Sequence, residues 1–385
     1  MNILFLTWNH PAAHSMGGEQ RNHLIHRALC DLGTVYTAIP ALDRPSSLFP
    51  EPLTARVHAE RRFSLRWLLR NAARLLLREM MLSHSAPPEW PPEWKSPRFD
   101  LVVARHATLA AYWRAWEFAP LIIDSDDFPS ELYADRCPNG RNRLPYRLLR
   151  RWQTSIFRRC AFAWIAHEDQ AALLPPSLPH QILENIPFDP GSAIYDESAA
   201  QLPYLLTVGT LSHPPNYHGL SRFLREVWPA IHTAFPDLHW KIAGRDCPPA
   251  VAAECAAAPN VELLGFVPDL ASLYRNALAC LVPVATGSGT CIKVREALLW
   301  GRTCLGWPFA FRGIPAADQT SANGIFPCKA PDEFVSALQS LASSAKRLPA
   351  QRSARAYALA HWSPTHFSSI IRAAIAALPL PSRHV

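Results

Sequence analysis

The chain has 385 residues, a formal net charge of +7, 49% apolar residues and 18% charged residues. That composition excludes a disordered chain and leaves enough length for two or three domains. The basic balance comes mostly from arginine and points to an anionic partner. The nine cysteines are odd in number and form no C-x-x-C pair, which argues against a disulfide framework and a zinc ribbon and for a reducing setting.

The opening "MNILFLTWNHPAAHS" lacks a basic n-region and a long apolar run, so no signal peptide is expected. No apolar run reaches the roughly 20 residues of a membrane span. The expected location is cytoplasmic, or the inner face of the plasma membrane.

Ile3 to Leu6 reads as a buried parallel strand, followed by a polar loop that ends at Gly17-Gly18. A helix follows, with Leu24, Ile25, Ala28, Leu29 and Leu32 on one face. Val35–Ile39, Leu101–Ala104, Leu121–Asp124 and Phe162–Ala166 are further short strands. This βαβ alternation predicts a parallel sheet covered on both faces. "APPEWPPEWKSP" (Ala86 to Pro97) reads as a stiff connector, and residues 187–202 as an interdomain linker.

The pattern then restarts. Strands are expected at Tyr204–Val208, His239–Ala243, Val261–Leu264, Cys280–Val284 and Thr303–Gly306. Between the first two, Leu220, Phe223, Leu224, Val227, Trp228 and Ile231 recur at helical spacing. A last helix is expected over Pro364–Leu378. The expected fold class is α/β, with two Rossmann-like doubly wound domains facing a central cleft. Their expected bounds are 1–195 and 196–365, with a helix and tail at 366–385 packing back on the first.

"GSGTCIKVREALLWG" (Gly287 to Gly301) carries the densest chemistry. A strand leads into a glycine-rich loop and a helix from about Cys291 to Trp300, with Gly301 at C′. The helix N-terminus offers free N–H groups and partial positive charge, and the glycines let a ligand approach the backbone. Lys293 in the first turn reaches the same spot, which makes a diphosphate site. Glu296, one turn on, can accept hydrogen bonds from sugar hydroxyls. The plainer reading makes Thr290 an N-cap and Lys293 a solvated surface charge. The stretch is neither a Walker loop nor G-x-G-x-x-G, since Ile292 stands where the third glycine belongs.

The blocks "VGTLSHPPNYHGLSRFLREVWPAI", "IAGRD", "VELLGFVPDLASLYRNALACLVPVATGSGTCIKVREALLWGRTCLGW" and "RGIP" together resemble the C-terminal domain of GT-B glycosyltransferases of group 1 (family 4). They are closest to the bacterial sugar transferases associated with exopolysaccharide synthesis. "GGEQRNHLIHRAL", "LIIDSDDFPSELY" and "LENIPF" resemble the N-terminal half more weakly. The resemblance implies a nucleotide-sugar donor, transfer with retention, no metal cofactor and a saccharide or lipid-linked saccharide acceptor. It makes 1–195 the acceptor-side domain and 196–365 the donor domain.

Carried over by residue, the resemblance sets Glu296 on the ribose, as the second glutamate of an E-x7-E motif. The first glutamate would fall on Ser288, a departure from the pattern. Lys293 matches a phosphate-facing lysine, and Gly289 and Thr290 match the loop facing the donor. "TLSHPPNYHG" lacks the cations that many relatives carry there, so Arg245 is the candidate replacement. "GFVPD" (Gly265 to Asp269) is expected near the base. Gly17 and Gly18 would bring backbone N–H groups to the donor phosphates, unless they serve only a tight turn.

His106 in "ARHATL" is the candidate N-domain histidine near the sugar, with His10 and His14 as competitors. Together with Lys293 and Glu296 it makes the candidate catalytic set. Asp124, Asp126 and Asp127 end a strand. A metal trio is one reading; acceptor binding by Asp126 and Asp127, or loop ordering, is the preferred one.

Arg62, Arg66, Arg70, Arg74 and Arg78 recur every four residues beside leucines, an amphipathic stripe suited to an anionic membrane or to a solvated face. A second basic helix holds Arg143, Arg147, Arg150, Arg151, Arg158 and Arg159. No nucleic-acid recognition motif is present. The alternatives are another nucleotide-sugar enzyme such as an epimerase, a non-catalytic scaffold, and a basic nucleic-acid binder.

Overall fold

The structure is a computed structural model and describes residues 1–12, 17–41, 47–49, 51–59, 88–94, 98–137, 139–187, 204–287 and 290–379. The arginine stripe from Arg62 to Arg78, His14, Ser288 and Gly289 lie outside the described residues, as does the expected linker beyond Pro187. The chain divides into two compact units, Met1–Asn185 with Thr365–Val385, and Ile186–Pro364.

In the first unit the strands are β1 (Asn2–Leu6), β2 (Thr34–Pro40), β3 (Ser47–Leu48), β4 (Thr54–Ala59), β5 (Pro88–Glu89), β6 (Leu101–Arg105), β7 (Leu121–Ser125), β8 (Phe162–Ile165) and β9 (His180–Ile182). The helices are α1 (Gly17–Cys30), α2 (His106–Trp113), α3 (Pro129–Arg136) and α4 (Leu144–Phe157). The sheet order is β3-β4-β2-β1-β6-β7-β8-β9, parallel from β4 to β9. β1, β6 and β7 are apolar runs because helices cover both faces of the sheet. The order reverses between β1 and β6, whose carboxyl ends therefore border a crevice.

The connector "APPEWPPEW" is corrected by the structure. Pro88–Glu89 pairs antiparallel with β4, a strand the sequence reading missed. Trp94 is buried, with Trp90 stacked 5.5 Å away and Tyr36 edge-on at 5.3 Å. The two tryptophans bury far more apolar surface than a free linker would.

His26 on α1 lies against Phe5, ring centroids 6.1 Å apart. Burial, then the neighbouring His23 and His10 charges, lower its pKa to about 4. An unfolded histidine titrates near about 6.5, so the unfolded chain takes up the proton first as pH falls. Stability is therefore complete above that value and lost progressively toward pH 4. We expect the thermal midpoint to fall across this window and His26→Gln to flatten the fall. A midpoint unaffected by the substitution at every pH would remove His26 as the cause.

In the second unit β10 (Tyr204–Val208), β11 (His239–Ala243), β12 (Val261–Gly265), β13 (Ala279–Val282), β14 (Cys304–Gly306) and β15 (Ile325–Pro327) are all parallel. Between them run α5 (Pro214–Glu226), α6 (Trp228–Ala234), α7 (Pro249–Ala257), α8 (Ala271–Asn276) and α9 (Ile292–Leu299), followed by α10 (Pro331–Ala342) and α11 (Ser344–His361). The order β12-β11-β10-β13-β14-β15 is the Rossmann order, with its reversal between β10 and β13.

One helical stripe from Leu220 to Ile231 was expected. The chain breaks it at Val227, because Pro229 has no N–H to donate back to the preceding turn. Leu220, Phe223, Leu224, Trp228 and Ile231 still share one core with Trp240, Phe334 and Leu338. β15 was missed, three residues giving too little period to read.

The last helix, α12 (Pro364–Ala376), buries Phe367, Ile371 and Ile375 and belongs with the first unit. Its Arg372 stands 3.6 Å from Asp31 of the loop after α1. All nine cysteines are free thiols. Among the described residues no helix is long and apolar enough to cross a membrane.

Candidate functional site

At the reversal point of the second sheet, the loops after β10 and β13 meet. Gly209 follows β10, and its N–H is tied to Ala243 O on β11 at 3.0 Å. The chain then enters α5 through His213, Pro214 and Pro215. Prolines at the first turn of α5 remove backbone donors there. Asn216 provides the next polar group. Its Nδ2 donates to Thr210 O at 2.7 Å, which turns Oδ1 toward Lys293. Lys293 Nζ donates to that oxygen at 3.0 Å. The lysine is thus not a solvated surface charge but is steered across the mouth of the β10 loop.

The β13 loop supplies the rest. α9 begins at Ile292 with Cys291 as N-cap and no side-chain cap. Thr290 therefore does not cap the helix. Its Oγ1 is buried without a hydrogen-bond partner among the described residues. Arg312, from the loop after β14, donates through Nη1 to Gly287 O at 2.6 Å and lies 4.1 Å from the Phe309 ring centroid. Together His213, Asn216, Gly287, Thr290, Lys293 and Arg312 line an open pocket. Two cationic side chains, an unsatisfied hydroxyl and the uncapped N–H groups of α9 converge there. Such an arrangement suits a phosphate-bearing anion.

Glu296 stands one turn beyond Lys293. Tyr274 on α8 is buried, stacks on Trp300 at 5.5 Å and hydrogen-bonds Glu296. Burial raises the carboxyl's pKa, and the Tyr274 hydrogen bond and the Lys293 charge oppose that rise without cancelling it. Burial and the Glu296 charge push the Tyr274 hydroxyl well up in turn, so it stays a donor. Glu296 is half-buried and is not among the residues that line the pocket.

Residues 202–344 match the family model described as "Glycosyl transferases group 1". This stretch is a group 1 glycosyltransferase domain. Comparison with curated protein sequences gives no match. Among solved structures the chain is similar to the sucrose-phosphate synthase of Thermosynechococcus elongatus, at 12% identity and a TM-score of 0.67, covering 98% of this chain and 100% of that one. It is also similar to HepE of Anabaena in complex with UDP and glucose, at 14% identity and a TM-score of 0.66, over 98% and 100% of the two chains. A third is a trehalose-6-phosphate protein of E. coli bound with UDP-2-fluoro glucose, at 11% identity and a TM-score of 0.64, over 99% and 100%. The shared fold is GT-B, and the group 1 glycosyltransferase match falls on its second unit.

Within the glycosyltransferase domain the structure brings Thr290, Lys293 and Glu296 to one helix start. Arg245 is not among them. It is exposed at the end of β11, 3.7 Å from Asp246, and does not line the pocket. Arg312 supplies the second cation instead, from "RGIP", a block whose arginine was not singled out in the sequence. Asn216 and Tyr274 were also missed, because their partners lie far away in sequence. Gly209 was missed for the same reason. A Cβ there would collide with Lys293 Cε and stand 3.4 Å from Asn216 Nδ2. We expect Gly209→Ala to displace Lys293 and weaken binding of a nucleotide diphosphate by roughly tenfold, about 1.4 kcal/mol. The thermal midpoint should move little, since the lysine tip can swing aside. Calorimetry with the variant checks this, and wild-type affinity would show that Lys293 placement is immaterial.

In the first unit the reversal point lies between β1 and β6. Gly17 and Gly18 form the first residues of α1 rather than a turn before it, and the space where a Gly18 side chain would stand is open. His106 opens α2 at a φ of +69°, a left-handed conformation that costs a β-carbon residue energy and often marks a functional site. Its Nε2 lies 2.9 Å from Asp126 Oδ1. Arg105 Nη2 reaches the same oxygen at 3.1 Å, and Arg105 Nε donates to Asn22 at 2.6 Å. Asp124, wholly buried, is paired with both Arg21 and Arg105, and Arg21 also donates to Leu183 O at 2.7 Å and Asn185 Oδ1 at 2.9 Å.

Burial pushes the Asp124 and Asp126 carboxyls up, but the arginines outweigh it at Asp124, and Arg105 with His106 outweighs it at Asp126. Both end below the usual carboxylate range, Asp126 far below it. The metal-trio reading of Asp124, Asp126 and Asp127 is corrected here, because two buried guanidiniums occupy Asp124. Asp127 turns its carbonyl to Ser125 Oγ at 2.8 Å, a loop tie. Among the described residues no group of three or more His, Cys, Asp or Glu is gathered to hold a metal ion. His10, a competitor of His106, meets Glu51 at 2.9 Å instead.

Proposed function

We propose that this glycosyltransferase moves a sugar from a nucleotide-sugar donor to a saccharide acceptor, with retention at the anomeric carbon. The observation that carries the reading is Lys293, held by Asn216 beside Arg312 and the unpartnered Thr290 hydroxyl at the start of α9. Lys293, Arg312, Thr290 and the α9 N-terminus would hold the diphosphate, with Ser288 and Gly289 completing the loop. The carboxylate of Glu296 would accept from the ribose hydroxyls.

As the bond from C1 to the diphosphate oxygen breaks, the electron pair leaves with that oxygen. Lys293 and Arg312 would meet the growing charge, a preorganised electrostatic role. The proposal needs no metal for it. Gly17 and Gly18 would face donor phosphates, His106 the sugar, and Asp126 and Asp127 the acceptor side.

Two of the fold neighbours named above were solved with UDP and glucose or with UDP-2-fluoro glucose, and the third is named a sucrose-phosphate synthase. That supports a nucleotide sugar here. We place the acceptor on a lipid-linked saccharide at the inner face of the plasma membrane, in bacterial surface or exopolysaccharide synthesis. The test is calorimetry of the purified chain with a panel of UDP-, GDP- and other nucleotide sugars. Transfer to lipid-linked acceptors follows, with the anomeric configuration of the product read by NMR. No binding by any nucleotide sugar would sink the reading, and inversion at C1 would sink the retaining part.

A further inference from the structure

Residues 136–167 contain eight arginines and no Asp or Glu. α4 lies in the middle of this stretch. One of its faces is buried through Leu149, Gln153, Ile156 and Phe157. The opposite face carries Leu144, Arg147, Leu148, Arg151 and Ser155, all exposed. On a helix of 3.6 residues per turn these five fall within an arc of about 100°. Leu144 is 67% exposed and Leu148 37%, on adjacent turns, and they are two of the four large apolar residues that the described surface exposes.

Seven of the eight arginines, Arg141 onward, divide into two sets. Arg141 is bound to Glu131 at 2.7 Å, Arg150 Nη2 donates to Ala172 O at 2.9 Å, and Arg159 lies 4.8 Å over the Trp116 ring. Those three serve the fold. Arg143, Arg147, Arg151 and Arg158 are exposed and form no ion pair with a described residue. Arg143, Arg147 and Arg151 flank the two leucines, and Arg158 lies at the far end of the helix. Nothing in the donor pocket uses either set.

A phosphate polymer would engage such arginines but has no use for leucines held out among them. This stripe also has no exposed ring for a base to stack on, since Tyr146 donates to Glu131 at 2.8 Å and Trp152 is half-buried. A bilayer surface takes both chemistries at once. Apolar side chains enter the acyl boundary while guanidiniums sit at the phosphate level. We infer that this face of α4 docks the protein on an anionic lipid bilayer, with Leu144 and Leu148 inserted and Arg143, Arg147, Arg151 and Arg158 on lipid phosphates. The inference stands apart from the donor-site reading, because it uses none of its residues.

The test is co-sedimentation of the full chain with phosphatidylcholine vesicles, with and without phosphatidylglycerol. We expect binding to the anionic vesicles only, weakening with added salt. Arg147→Gln with Arg151→Gln should lower it by roughly tenfold or more. Leu144→Ser with Leu148→Ser should lower it severalfold, with the thermal midpoint of both variants unchanged because the face is exposed. Three outcomes would overturn the inference. The wild type ignores anionic vesicles. Both double variants bind as the wild type does, which places the contact elsewhere. Or the leucine variant is silent while a single-stranded oligonucleotide binds through the same arginines, which makes a nucleic acid the partner.

Discussion

Replacing Lys293 by alanine is expected to weaken nucleotide-sugar binding by roughly thirtyfold to a hundredfold, with little loss of stability. The variant loses a charge-assisted contact to the diphosphate, worth about 2–3 kcal/mol. Asn216 loses a partner, but at an open pocket water can replace it. Glu296→Gln should separate binding from folding more sharply. Burial raises the Glu296 carboxyl's pKa against the pull of Tyr274 and Lys293. A carboxyl raised in the folded state gives stability that is complete below its unfolded pKa, near 4.5. That stability is lost as pH rises through the folded value, so at neutral pH the charge is a cost to the fold. The glutamine variant should therefore melt at or above the wild-type temperature while binding donor at least tenfold more weakly, about 1.4 kcal/mol. Calorimetry and thermal melting decide it together. A variant that melts lower and binds normally would make Glu296 a structural partner of Tyr274 and not a ligand group.

Asp124→Asn is the second large effect, and it falls on stability. Arg21 and Arg105 are buried on either side of one carboxylate, and Arg21 lies under Phe367 of α12 at 6.0 Å. Removing one partner of a buried pair typically costs about 3–5 kcal/mol, because the remaining charge has no water to turn to. Domains commonly hold only about 5–15 kcal/mol in all, so the first unit should melt much lower or fail to accumulate folded. Asp126→Asn, at the edge of the same cluster, should cost less and act mainly on His106. The pH dependence follows from the lowered pKa values of both carboxylates. Their stability is complete above the unfolded value, near 3.8, and lost as pH falls through the folded ones. Urea denaturation of the wild type and Asp124→Asn checks this, and a cost below about 1 kcal/mol would mean that the arginines reach water.

The features read correctly in the sequence are local ones. A strand covered on both faces must be a short apolar run, so β1, β6, β7, β10 and β13 were visible as such. Lys293 and Glu296 lie three residues apart, so one helix sets their spacing whatever surrounds it. Other readings failed where a partner lies far along the chain. Arg245 follows a strand and Arg312 a short turn after β14, and no periodicity shows which of them lines the pocket. Asp124 and Asp126 are neighbours in sequence, yet one is wholly buried between arginines and the other touches a half-buried histidine.

Composition, apolar period and the GSGTCIKVRE stretch determined by themselves that this is an α/β protein with two nucleotide-fold patterns and a glycine-rich stretch before a helix that carries Lys293 and Glu296. Tertiary structure alone decided which residues complete that start. The strand order puts β10 beside β13, and so brings Asn216 within 3.0 Å of Lys293 across 77 residues. It also decided that Arg312 and not Arg245 lines that pocket, that Asp124 is buried between two arginines, and that α4 turns two leucines outward. Strand order and burial arise from the packing of whole elements, and hydrophobic period within one element carries no record of its neighbours.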